Sequence, residues 1–395
     1  MRQQEGHEES NPRLAARGGA GARVRVLIVA PSLEINGGQS RMAARLLGLL
    51  GAEPSLEVGF LPHNPRLPGA LRRLQTIRYV RTVVTTALYF ALLVARVPRY
   101  DVIHVFSASY YSYLLSAAPA LLVARLFGRR SVLNYRSGQA DDHLANWPRT
   151  AAPTMRWASR IVAPSGYLVD VFARYGLRAL SIYNMVDLER FRYRERSPVR
   201  PVFLTGRLHE PLYNVPCALR AFRLVQERYP EARLTVAGDG PLRAELERLA
   251  FGELRLRNTE FVGFVPHDGM PGLLDAADVY LNAPDLDNMP SSLTECMAAG
   301  LPIVTTGVGG IPYIVRDGET CLMVGRDDHK AMAAASLRLL EEEGLALGLA
   351  RRARAESAKF TWPAVREEWL RLYGELAHGR ASEGGAGVPA GARLL

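Results

Sequence analysis

The side chains best suited to chemistry on an anionic, hydroxylated ligand are concentrated in one acidic segment, Asp285-Leu286-Asp287-Asn288-Met289-Pro290-Ser291-Ser292-Leu293-Thr294-Glu295. Proline at a first turn with serines beside it is a helix-start signal, and Gly300-Leu301-Pro302 stops the helix. The free N–H groups of such a first turn, aided by the helix dipole, suit a diphosphate. Glu295 lies about one turn in, where its carboxylate accepts hydrogen bonds from vicinal hydroxyls. Asp287 stands on the loop before the helix. Alone, the segment reads equally well as a capped helix with a solvated glutamate.

Its neighbours tip the balance. Gly206-Arg207-Leu208 ends an apolar run and sets a guanidinium where it can clamp a diphosphate with two hydrogen bonds. Gly238-Asp239-Gly240, Val262-Gly263-Phe264 and Gly307-Val308-Gly309-Gly310 end further runs and let backbone approach a ligand closely. Each is ordinary turn chemistry by itself. Four in phase at one sheet edge point to a ligand.

The elements that position them form two halves. From Val24, a β-branched run leads through Gly37-Gly38 into an apolar-periodic helix, the opening of a doubly wound sheet. Strands are expected at Leu56–Phe60, Val102–Phe106, Ser131–Tyr135 and Ile161–Ala163, and the arginine-rich stretch around Arg190–Arg200 reads as a linker. The second half repeats the pattern, with strands at Val202–Gly206, Arg233–Ala237, Glu260–Phe264, Val279–Asn282, Ile303–Thr306 and Cys321–Val324. Helices are expected at Val215–Arg228, Leu242–Leu249, Met270–Ala276, Ser291–Ala299 and Asp328–Glu342, with a last one at Trp362–Ala377. This alternation predicts an α/β protein with parallel sheets whose ligands sit beyond the strands' carboxyl ends.

Composition narrows the function class. The 395 residues suit two domains, and 48% hydrophobic content excludes wholesale disorder. The net charge is +10, yet Lys330 and Lys359 are the only lysines. Any phosphate must therefore be held by arginine, backbone N–H groups and helix ends. No recognition motif or aromatic-laced basic stripe points to nucleic acid. No G-x-G-x-x-G with a downstream acid follows the first strand, which disfavours a dehydrogenase. Cys217, Cys296 and Cys321 are too widely spaced for a disulfide scaffold or structural zinc, and a reducing cytoplasm is expected. Thr82–Ala95 is uncharged and framed by Arg72, Arg73, Arg78, Arg81, Arg96 and Arg99. It reads as a buried helix or as an interfacial helix on anionic lipid; it is short for a span.

In combination, GRL at 206–208, AGDGPL at 237–242, EFVGFV at 260–265, the acidic segment through Glu295, AAGLPIV at 298–304 and GGIPYIVRDGET at 309–320 resemble the retaining glycosyltransferases of family 4, glycosyl transferases group 1. In the first half, Gly37-Gly38, NYRSGQADDHL at 134–144 and APSGYLVDVF at 163–172 extend the resemblance over about Val24 to Ala377. It implies the GT-B fold, two Rossmann-like doubly wound parallel-sheet domains facing across a cleft. It places an acceptor-side domain at 23–195, a nucleotide-sugar-binding domain at 196–360 and a helix packing across the junction at 361–379. A leader at 1–22 and a tail at 380–395 are expected to be disordered.

Residue by residue, the resemblance implies that Glu295 holds the ribose, Asp287 contacts the donor sugar and Arg207 the diphosphate. Ser291 and Ser292 match the helix start beneath the phosphates, Asn288, Met289 and Pro290 belong to the donor site, and Val262, Gly263 and Phe264 line the base. Gly37, Gly38, Gly206, Tyr213, Asn214 and Gly238 join the donor site, and Tyr135, Arg136 and Ser165 face the acceptor side. Three departures mark a divergent member. Tyr213 stands where the family has a phosphate lysine, Asp287 is a methylene shorter than the usual glutamate, and Arg136 replaces a histidine. Arg136 is accordingly expected to supply the missing cation, giving Asp287, Arg207 and Arg136 as the catalytic set.

The implied reaction moves a sugar from a nucleotide diphosphate sugar to a glycan or lipid-linked hydroxyl, with retention and without cofactor or metal. Asp285-Leu286-Asp287 has the spacing of a metal clamp but lies in the loop already assigned. The expected setting is cell-surface polysaccharide or glycolipid synthesis at the cytoplasmic face of the inner membrane. A weakened nucleotide-sugar binder in an assembly complex, or an epimerase on the same fold, is the alternative.

Overall fold

The computed structural model describes residues 23–379 apart from positions 36 and 68; the expected leader and tail lie outside that range. The first domain is built on six parallel strands: β1 (Val24–Ala30), β2 (Leu56–Pro62), β3 (Val102–Ser107), β4 (Arg130–Tyr135), β5 (Arg160–Ala163) and β6 (Ala179–Ser181), in the order β2-β1-β3-β4-β5-β6. The second holds β7 (Val202–Gly206), β8 (Arg233–Ala237), β9 (Thr259–Gly263), β10 (Val279–Asn282), β11 (Ile303–Thr306) and β12 (Leu322–Val324), in the order β12-β11-β10-β7-β8-β9. Their central strands lie between helices on both faces, so β1, β3, β10 and β11 are buried almost throughout, down to the polar His104, Asn282, Thr305 and Thr306.

Each sheet has one point where the winding reverses: between β1 and β3 in the first, between β7 and β10 in the second. There the loops diverge to opposite faces and leave a crevice.

The chain crosses between the domains twice. Arg190–Arg200 is no loose linker, because from Arg190 onward it is anchored on the second domain, through the Arg190–Asp268 pair and the buried Phe191. The fully buried Arg196 guanidinium donates to the carbonyls of Leu274, Ala277 and Ala299, at helix C-termini where the dipole favours a cation. Arg194 and Arg200 pair with the buried Asp278 carboxylate, holding it below the usual range despite its burial. The last helix, Trp362–His378, then returns to the first domain. Its Val365, Trp369, Leu372 and Tyr373 pack with Val26, Ile28 and Phe106 of β1 and β3. The Tyr373 hydroxyl lies 2.6 Å from His104 Nδ1, beneath the first sheet.

The apolar stretch expected from Thr82 lies in the helix Val80–Arg96, which buries only Tyr89 and Leu93. Val83, Phe90 and Val94 are exposed on it. With its extension to Arg99 it is the one helix among the described residues long and apolar enough to cross a membrane, by length and composition.

Candidate active site

The two reversal points face each other across a cavity of about 450 Å³. From the second domain come the residues after β7, those after β10 and the start of the helix Ser291–Ala299. From the first come the start of the helix Gly38–Gly51, Ala108 after β3 and Arg136 after β4.

Arg207 leaves the end of β7, largely buried, and lies 4.2 Å over the Tyr213 ring. Its guanidinium pairs with the Asp287 carboxylate and donates to Ser292 Oγ at 3.2 Å. Burial pulls the Arg207 pKa down, but the adjacent Asp287 charge outweighs it and the net shift is upward, so this is a fixed cation. The residues expected to serve phosphate and sugar separately thus form one pair, which an entering diphosphate must share or open.

The Asp287 loop owes its position to two glycines. A Cβ at Gly310 would stand 1.9 Å from the Asn288 carbonyl oxygen, and one at Gly309, where φ is +55°, 2.1 Å from that of Asp287. The Gly310 N–H donates to the Asp287 carbonyl at 2.9 Å. The helix that follows has Pro290 as its N-cap, no capping side chain and no acid in its first turn. Its N-terminal donors therefore remain available to an anion.

Glu295, one turn in, is buried to 8% exposure. Burial raises its pKa, and Arg41, Arg190 and Arg45 oppose the shift without cancelling it. A carboxyl whose folded pKa is raised costs stability increasingly as the pH rises through its unfolded value, and in full above the folded one. Glu295→Gln is therefore expected to raise the melting temperature of the ligand-free protein at neutral pH. The same variant should lose most of the stabilisation by nucleotide, because an amide accepts ribose hydroxyls less well than a carboxylate. Thermal melts with and without nucleotide check both; a lower ligand-free melting temperature would contradict the account.

On the first domain's side, the helix Gly38–Gly51 also lacks a capping side chain and a first-turn acid, so a second helix N-terminus faces the cavity. Arg136 lies 5.4 Å from the Phe106 ring centroid and donates to Asn184 Oδ1. No carboxylate among the described residues stands within ion-pair distance of it. Burial lowers its pKa to about 10, which leaves it a cation at neutral pH. Asn288, 3% exposed, clasps the domains: its Oδ1 accepts from Ser165 Oγ, and its Nδ2 lies 3.5 Å from the Arg136 carbonyl. Asn184 adds a hydrogen bond from Nδ2 to the Met289 carbonyl at 3.4 Å.

The structure gathers Gly38, Arg136, Gly206, Arg207, Tyr213, Gly238, Phe264, Asp287–Ser292 and Glu295 around this cavity. Six other expected residues do not line it. Asn214 caps the helix Val215–Arg228 by accepting from the Cys217 N–H, and its amide donates to Asp285 and Asp327. Tyr135 turns into its own domain, where its hydroxyl meets Ser109 Oγ at 2.8 Å and His143 Nδ1 at 3.0 Å. Ser165 is consumed by Asn288, and Gly37 is the extended N-cap behind Gly38. Val262 packs against the apolar cluster of Leu204 and Tyr280, and Gly263 lies against the Arg243 side chain.

Arg41, Asn184 and His267 line the cavity without having been expected there. Arg41 had a legible signal: it is a cation in the first turn of a helix, where the dipole disfavours it.

The profile described as Glycosyltransferase Family 4 matches residues 15–190, and that of Glycosyl transferases group 1 matches residues 200–342. Phosphatidyl-myo-inositol mannosyltransferase of Mycolicibacterium smegmatis is 31% identical over 211 residues, 50% of this chain and 52% of that protein. Sulfoquinovosyl transferase SQD2 of Arabidopsis thaliana is 28% identical over 197 residues, 47% of this chain and 38% of that protein. The chain thus spans about half the length, or less, of these curated relatives. Among solved structures, Anabaena HepE in complex with UDP superposes with a TM-score of 0.71 at 17% identity, covering 89% of this chain and 100% of that one. Sucrose-phosphate synthase of Thermosynechococcus elongatus gives 0.67 at 18% identity, covering 91% and 100%. The shared architecture is GT-B.

Proposed function

Because this chain belongs to the glycosyltransferases of family 4 and group 1, we propose that it transfers a sugar from a nucleotide diphosphate sugar to a hydroxyl of a glycan or lipid-linked acceptor, with retention of anomeric configuration. The observation that carries this reading is the convergence of Arg207, Arg136, Arg41 and two uncapped helix N-termini on one interdomain cavity. Such a constellation binds a diphosphate and stabilises the charge it gains on departure. Glu295 receives the ribose hydroxyls, and Asp287, released from Arg207 as the phosphates enter, turns to the donor sugar. In this reading no metal takes part, since the arginines and helix ends meet the diphosphate charge.

HepE, crystallised with UDP, supports a uridine donor as the first to test. The exposed apolar residues of the helix Val80–Arg96 and the arginines around it support a peripheral contact with anionic membrane, at the cytoplasmic face. The role that fits is cell-surface polysaccharide or glycolipid synthesis.

The test is a panel of UDP- and GDP-sugars in thermal melts, followed by product analysis with acceptor. A ligand at a hundred times its Kd adds about 2.7 kcal/mol to stability, a shift of several degrees. One donor should stand out, transfer should survive EDTA, and NMR should show the donor's anomeric configuration in the product. A shift without transfer would instead favour a nucleotide-sugar-binding role. Loss of transfer on chelation would refute the metal-free reading.

A further inference from the structure

A second cavity, of about 600 Å³, opens in the first domain and shares no lining residue with the donor cavity. It is bounded by the residues after β2, the turn Gly69–Thr76, the helix Val80–Arg96 and the segment Tyr111–Ser116. Gln75 braces it: its carbonyl accepts from the Leu67 N–H, and its amide donates to the Pro65 carbonyl and to Thr85 Oγ1, each at 2.9 Å. Asn64 Oδ1 accepts from the Ser32 N–H at 2.8 Å, which ties this cavity to the loop leading from β1 to the donor cavity.

Its chemistry is one-sided. Arg66, Arg72 and Arg81 line it together with the hydroxyls of Thr82, Thr85 and Thr86. Arg66 pairs with Glu34, whereas Arg72 and Arg81 have no carboxylate within ion-pair distance among the described residues. Burial holds His63 neutral by lowering its pKa to about 4, so the positive charge here belongs to the arginines. Of its lining residues, Tyr111 and Leu115 stand 70% and 40% exposed, and Tyr79 and Val83 at the start of the bordering helix are 75% and 68% exposed. Two unpaired guanidinium groups beside hydroxyl donors suit a phosphoryl group, and the apolar surround suits the chain that carries it.

We propose that this cavity binds the phosphoryl group of a lipid-anchored acceptor, so that the lipid lies along the helix Val80–Arg96 while the acceptor hydroxyl reaches the donor cavity. The inference rests on the lipid-linked part of the proposed function. It goes beyond membrane contact by naming a head group and the side chains that select it.

Flotation of the full chain tests it. The vesicles are neutral phosphatidylcholine, phosphatidylcholine with phosphatidylglycerol, and phosphatidylcholine with a polyprenyl monophosphate at matched surface charge. The expected result is about tenfold tighter binding to the polyprenyl phosphate vesicles than to the phosphatidylglycerol ones. Arg72→Ala/Arg81→Ala should abolish that preference. Arg73→Ala/Arg78→Ala, which removes equal charge outside the cavity, should weaken binding to both anionic vesicles alike and keep it. No preference in the unaltered protein, or its equal loss in both variants, would overturn the inference. Displacement from the vesicles by millimolar inorganic phosphate would assign the cavity to a soluble anion and overturn the lipid source. Melts with UDP on the same preparations separate the two claims. A retained preference without a UDP response supports the cavity and counts against the donor reading. A UDP response without preference overturns the cavity alone.

Discussion

Replacing Arg207 with alanine is expected to lower kcat/KM for the donor by about a thousandfold, which equals about 4 kcal/mol of transition-state stabilisation. Two losses combine. The diphosphate forfeits a charged, two-pronged donor in a site shielded from water, and Asp287 is left as a partly buried carboxylate without its partner. The second loss makes the effect separable. Asp287→Asn should free the guanidinium and tighten UDP binding while slowing transfer, because the sugar loses its carboxylate. In the double variant Arg207→Ala/Asp287→Asn, part of the nucleotide affinity should return, so the two changes will not add. Steady-state kinetics and UDP melts on the three variants measure this. An Arg207→Ala enzyme with unchanged kcat/KM would remove Arg207 from the reaction.

Arg136→Ala is the second large effect. The guanidinium comes from the opposite domain and has no carboxylate of its own among the described residues, so its charge is directed at a ligand. Removing one such preorganised group costs about a hundred- to a thousandfold in kcat. The stability change should run the other way. The folded protein holds this proton less tightly than the unfolded chain, since burial lowers the pKa to about 10. The charge therefore opposes folding at neutral pH, and that opposition fades only as the pH rises through the folded value. Arg136→Ala should melt no lower than the parent while losing turnover. A sharp drop in melting temperature would mean that Arg136 supports the Asn184–Met289 contact rather than the reaction.

The second domain was legible in the sequence almost to its element ends. The strands Val279–Asn282 and Ile303–Thr306 are short β-prone runs, VYLN and IVTT, the second bounded by Pro302 and Gly307, and the helix Val215–Arg228 has proline near its start and arginine at its end. Two elements escaped notice for physical reasons. β6 is a three-residue edge strand with no fully buried position. The helix Leu345–Ser357 buries mainly alanines between arginines, so its apolar stripe is faint. At the site, residue types were readable but their pairing was not. Nothing in the chain indicates that Arg207 and Asp287, 80 positions apart, meet each other before any ligand arrives. Asn214 was misplaced because a residue beside a binding motif and a helix cap look alike until the hydrogen bonds are drawn. Arg41 broke a local rule, and such breaches are where a site shows through the pattern.

The return of the last helix to the first sheet bears on how this fold can be recombined. Tyr373 and Trp369 close over His104, a side chain contributed from the far end of the chain. An exchange that joins the first half of this protein to the second half of a relative would set a foreign helix on the native sheet, against a buried imidazole. The inheritable unit is therefore discontinuous: the first half travels with residues 361–379, and the nucleotide-binding domain behaves as an insert between them.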